Sequence, residues 1–155
     1  MKKMVYNLLL IMTMISLSSC LTGGLDELDV YDGADITSVS TVRYRYITED
    51  KSPASGQNIV KEVELTYTSE IDTDAAIVKI SVSTPDNFPV SELAFLSKSN
   101  LLIAVGISTA ARLSSDNGSP QLGVPGDWSK PNTYTVQAAN GKKKKWTIEV
   151  VELLK

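Results

Sequence analysis

Histidine is absent from this chain, and cysteine occurs once, at Cys20. Those two absences exclude imidazole acid–base chemistry, Ser-His-Asp and Cys-His nucleophiles, and nearly all zinc and iron sites. No phosphate-cradling loop of the G-x-x-x-x-G-K-[ST] kind is present. Positive charge is not in excess either: 15 Lys and Arg stand against 18 Asp and Glu, so no global basic field recruits nucleic acid. Carboxylate pairs remain, but enzymes that hydrolyse glycosides with them usually sit on larger scaffolds with a deep cleft. The expectation is a non-enzymatic protein with no cofactor, no metal and no nucleic-acid partner.

No apolar run is long enough to cross a bilayer, which takes about 20 residues as a helix. Residues 4–17 carry no charge, follow Lys2 and Lys3 and centre on the strongly apolar Leu8-Leu9-Leu10-Ile11-Met12. That order, positive and then apolar but short, reads as a signal peptide. It ends in Leu17-Ser18-Ser19-Cys20, which resembles the bacterial lipoprotein lipobox. The resemblance implies cleavage before Cys20, diacylglycerol on its thiol and acylation of the new amino group. A single acyl chain anchors only marginally, at about 0.8 kcal/mol per buried methylene, whereas three hold for good. Lipidation of Cys20 also explains why the chain carries no other cysteine.

Residues 21–35, LTGGLDELDVYDGAD, are glycine-led and acidic, without hydrophobic period. Such a segment acts as a flexible, self-repelling tether. Its five carboxylates do not follow the spacing of a twelve-residue calcium loop. The chain therefore divides into a signal peptide, 1–19, a lipidated cysteine with acidic tether, 20–35, and one domain, 36–155.

From Ile36 onward the hydrophobic period is two. Val42, Tyr44 and Tyr46 alternate with Arg43 and Arg45; Val63, Leu65 and Tyr67 alternate with Glu62 and Glu64; Val78, Ile80 and Val82 follow the same rule. LLIAVGI, 101–107, is apolar on both faces, as a central strand is. TYTVQAA and KWTIEVVEL complete the set, and 89–100 reads as a further short strand. Turn residues separate the runs at Ser52-Pro53, Thr84-Pro85-Asp86, Asn117-Gly118 and Pro125-Gly126. About seven short strands with such breaks predict an all-β, antiparallel, Ig-like β-sandwich.

GDWSKPNTYTVQAANGKKKKWTIEVV, 126–151, resembles the closing hairpin of Ig-like modules in Bacteroides surface lipoproteins. AIVKISVSTP and ISTAARLSSDNGSP are similar to the strands that precede it there. The resemblance implies a family of unknown function, often found beside carbohydrate-metabolism or glycan-uptake proteins. It also implies outer-membrane or cell-surface display, since an acidic patch after the lipid cysteine marks export in that group. It carries over no catalytic or ligand residue, because the shared pattern consists of folding residues.

Three features are candidate sites. Trp128 lies in a loop-like stretch, where an exposed indole would stack on a sugar face and a buried one would plug an end of the sandwich. Lys142, Lys143, Lys144 and Lys145 would either grip an acidic glycan or lipid headgroup, or solvate a hairpin tip and block edge-to-edge pairing. Arg43 and Arg45 would pair across strands with Glu62 and Glu64, a structural role.

Parity fixes the closing hairpin. If Tyr134, Val136 and Ala138 face the core together with Trp146, Ile148 and Val150, a two-residue Asn140-Gly141 turn is excluded, because it would turn Trp146 outward. A three-residue loop, Ala139-Asn140-Gly141, puts Tyr134 opposite Trp146 and gives Gly141 a positive φ.

Composition excludes most catalysis, and the two resemblances imply a non-catalytic, lipid-anchored binding or scaffold module on the outer membrane or cell surface, accessory to glycan capture. Its partners are the membrane through Cys20 and a glycan or neighbouring surface lipoprotein. The alternative is a structural or adhesive subunit that engages a partner protein through an edge strand.

Overall fold

The computed structural model describes residues 30–116 and 118–155. The signal peptide, Cys20 and the first part of the acidic segment lie outside them. The domain is a sandwich of two sheets. β1 (Ile36–Lys51), β2 (Asn58–Glu64), β5 (Leu101–Ile107) and the two-residue β7 (Pro125–Gly126) form one, in the order β2-β1-β5-β7. β3 (Thr66–Asp72), β4 (Ile77–Ser83), β6 (Arg112–Ser115), β8 (Asn132–Gln137) and β9 (Lys143–Leu154) form the other, in the order β3-β4-β9-β8-β6.

The alternation read from sequence is the alternation that packs. Val42, Tyr44, Val78, Ile80, Tyr134 and Trp146 are all buried between the sheets. Burying each such side chain contributes about 1.5–3 kcal/mol, so an unbroken inner face on both sheets is what holds the layers together. Leu101, Leu102 and Ile103 are all buried, in keeping with the place of β5 between β1 and β7.

Four expectations change. The pairing is not wholly antiparallel: β4 runs parallel to β9, with Ile77 opposite Thr147. The run from Val60 to Tyr67 is one extended segment but two strands, since it leaves one sheet and joins the other at the buried Leu65. Leu65 keeps its backbone N–H on the Val42 carbonyl at 2.8 Å as the chain turns this corner.

Residues 89–100 do not form a strand. They hold two 3-10 turns, Val90–Glu92 and Lys98–Asn100. Pro89 precedes the first, and Asn100 closes the second by accepting the Ser97 N–H through its side-chain oxygen at 2.9 Å.

The domain also begins before Ile36. Ala34 is buried in the core, and its carbonyl accepts the Trp146 Nε1–H at 3.0 Å. Of the segment 20–35 expected to be a tether, residues 31–35 bind along the sandwich, and 20–29 lie outside the described residues.

The closing hairpin has the expected register. Tyr134 stands opposite Trp146, the Gly141 N–H donates to Ala138 O at 3.0 Å, and Gly141 has φ +87°.

Candidate functional site

Strand directions give the sandwich two distinct poles. β1 starts where β5 ends, with Ile36 opposite Ile107, and the turns 73–76 and 108–111 and the hairpin tip 138–142 gather there. This is the near pole, where the chain arrives from its N-terminal segment. The far pole holds the distal half of the β1–β2 hairpin, the segment 84–100 and the end of β9.

At the near pole, residues 31–35 are strapped to the domain. The Asn140 N–H donates to Tyr31 O at 3.2 Å, and the Asp35 N–H donates to Ser108 Oγ at 3.0 Å. Lys144 Nζ lies 2.5 Å from Asp35 Oδ1, donates to Thr73 O at 2.6 Å, and stands 4.8 Å from the Trp146 ring centroid. The ammonium thus covers the indole's face by cation–π attraction while its ion pair with Asp35 holds it there.

The four lysines are divided by strand geometry. Lys144 shares the inward parity of Trp146, whereas Lys143 and Lys145 point out. Lys145 Nζ is 3.3 Å from Asp116 Oδ2, and the Thr135 hydroxyl donates to Asp116 Oδ1 at 2.9 Å. That hydroxyl, helped by Lys145, holds the Asp116 carboxyl below the usual carboxylate range. Lys142 and Lys143 are exposed and make no ion pair among the described residues.

Trp128 is not a sugar platform. It is fully buried, its Nε1–H donates to Leu101 O at 3.0 Å, and its ring stacks on Tyr134 at 6.1 Å. The physical reason is volume: the far end of the core needs a large plug, and the indole has a backbone acceptor inside. Arg45 and Arg43 both reach Glu62, at 2.7 and 3.4 Å, while Glu64 accepts from Thr41 at 3.3 Å. Arg45 is the main reason the Glu62 carboxyl is held below its ordinary value.

The far pole carries what sequence reading missed. Val90 is 81% exposed, Phe95 68%, Ile47 66% and Val60 55%. Ile47 and Val60 face each other across β1 and β2. Ile47, Tyr46, Thr48 and Glu49 line an open depression with Ser91 and Glu92. Beneath it Tyr44 stacks on Tyr46 at 6.0 Å and donates its hydroxyl to Glu92 at 3.0 Å. Burial, with that bond to Glu92, pushes the Tyr44 phenol up to about 12. The signal was available in part: Ile47 falls on the Arg43 and Arg45 face, where parity calls for a polar residue.

Among the described residues, no group of three or more Asp, Glu, His or Cys is placed to hold a metal ion.

A family model described as DUF5018-related matches residues 36–149. A crystal structure of a "putative secreted protein" from Bacteroides fragilis NCTC 9343 is 40% identical with a TM-score of 0.71, covering 82% of this chain and all of that one. No curated protein matches.

Proposed function

This chain belongs to the DUF5018-related family, and from that premise we propose that it is a non-catalytic module of the cell exterior, lipid-anchored through Cys20, that engages a partner protein through its far pole. The observation that carries this reading is the exposure of Val90, Phe95, Ile47 and Val60 at the pole remote from the N-terminal strap. Soluble monomers expose apolar side chains singly as a matter of course, but several on one end mark an interaction site. β2 is an edge strand at the same pole, so a partner strand has unpaired backbone groups to join. The secreted description of the Bacteroides fragilis relative supports an exterior location. Glycan capture by stacking loses its carrier, since the indole assigned to it lies in the core.

Two experiments test this. Cys20→Ala is expected to release the domain from membranes, and a variant that still pellets after a carbonate wash defeats the anchor. A photo-crosslinking residue at position 95 is expected to trap one discrete protein on intact cells, and the same probe at position 68 to trap none. Equal trapping at both positions, or none at either, defeats the far-pole reading.

A further inference from the structure

The near pole holds a cationic row that neither the fold nor the proposed partner contact uses. Arg112 on β6 stands opposite Gln137 on β8, and Gln137 stands opposite Lys143 on β9. These three residues share the outer face of the sheet, because their neighbours Val136 and Ala138 are buried. Lys142 follows at the hairpin tip. Arg112 and Lys143 are exposed and, among the described residues, neither has a carboxylate within ion-pair distance, in contrast to Lys144 and Lys145. Lys143 stands next to Gln137 across the β8–β9 pair, and an open depression beside Arg112 and Gln137 is lined by these two with Ala110, Ala138 and Ala139. Its rim is held by a turn in which the Ala111 N–H donates to Ser108 O and Ala110 takes φ +59°, a left-handed conformation uncommon for a residue with a Cβ. Of the acids of this pole, Asp72 and Asp74 belong to the β3–β4 side, beyond β9 in the sheet order, Asp35 is taken up by Lys144, and Asp32 stands exposed on the strap.

A planar guanidinium fork, an amide donor and an ammonium in one row suit the tetrahedral oxygens of a phosphate. The geometry points to a phosphate-binding site at Arg112, Gln137 and Lys143, occupied by the headgroup phosphate of the membrane on which the domain sits. The choice of lipid as source rests on the anchor proposed above. Residues 21–30 span at most about 35 Å when extended, and the strap joins them to this same pole, so the row is held near the headgroups. The phosphate chemistry itself does not depend on the anchor.

The test uses residues 30–155, which contain the whole core, so neither signal peptide nor lipid contributes to binding. The fragment is expected to sediment with vesicles of phosphatidylcholine and phosphatidylglycerol and not with phosphatidylcholine alone. Inorganic phosphate should compete. Arg112→Gln with Lys143→Gln should weaken vesicle binding at least tenfold at unchanged melting temperature, while Lys61→Gln at the far pole should not. If inorganic phosphate shifts the Arg112 and Gln137 side-chain resonances but no vesicle binds, the site stands and its ligand is a free phosphate. If neither phosphate nor vesicles perturb those resonances, or if Lys61→Gln weakens vesicle binding equally, the site is refuted.

Discussion

Each pole of the sandwich buries one tryptophan, and each indole N–H ends on a backbone carbonyl at 3.0 Å, yet the two plugs are covered differently. Trp128 at the far pole is enclosed by the domain's own loops, and its N–H and ring are answered by Leu101 and Tyr134. Trp146 at the near pole is closed by the strap, through the Ala34 carbonyl, and by Lys144. The far pole is sealed from within and then displays apolar side chains outside the seal. The near pole is sealed by the strap and displays Arg112, Lys142 and Lys143 beside the exposed Tyr31.

The largest expected effect tests the plugs themselves. Trp146→Ala and Trp128→Ala should each destabilise by about 3–5 kcal/mol, read from urea denaturation. A near-neutral Trp128→Ala would put that indole back on the surface and revive the sugar platform. Next comes the near-pole turn. Gly141→Val should cost about 1–2 kcal/mol. A Cβ there meets no atom within 4 Å, so the loss comes from the left-handed backbone alone. An equal loss in Gly141→Asn, which tolerates that conformation, would point to another cause.

A smaller effect separates strap from core. Asp35→Ala removes a partly exposed ion pair and should cost about 0.5–1 kcal/mol, with faster proteolytic trimming before Ile36. Trimming that leaves Trp146 fluorescence unchanged would show that the strap does not seal it. Smaller still, Val90→Ser and Phe95→Ser should move stability by no more than about 0.5 kcal/mol, because nothing is lost from the core. A large loss would make the far pole structural. The smallest concerns Glu62, whose folded carboxyl titrates below its unfolded value. Its contribution is present above the ordinary glutamate range and vanishes as pH falls through the lowered value. The melting difference between the wild type and Glu62→Gln should therefore close in acid; a constant difference would mean that Arg45 and Arg43 contribute nothing through charge.

Period two made the core legible before any coordinates, and parity alone put Tyr134 opposite Trp146. The same parity marks Ile47 as out of place, which is the one far-pole clue the sequence holds. Val90 and Phe95 were hidden because a short apolar run beside prolines is equally a strand or a pair of 3-10 turns, and only packing decides. The strap was hidden because most of its bonds run through the backbone of Tyr31, Ala34 and Asp35, where side-chain pattern carries no information, and its one ion pair joins Asp35 to a lysine far along the chain. The fate of each lysine was hidden too, since a run of four identical residues gives no sign of which has an acid across the strand.

The parallel pairing of β4 with β9 has a consequence for how the chain assembles. β9 lies in the middle of its sheet, with β4 on one side and β8 on the other, although it follows every other described strand in the chain. Joining Ile77 to Thr147 closes a long loop, and such distant pairings place folding in the slow, millisecond-to-second class of β proteins. Until β9 is made, that sheet has two flanks, β3-β4 and β6-β8, and no centre. A chain that lacks β9 is therefore expected to leave that sheet unassembled, because β4 and β8 each pair with β9 and not with one another.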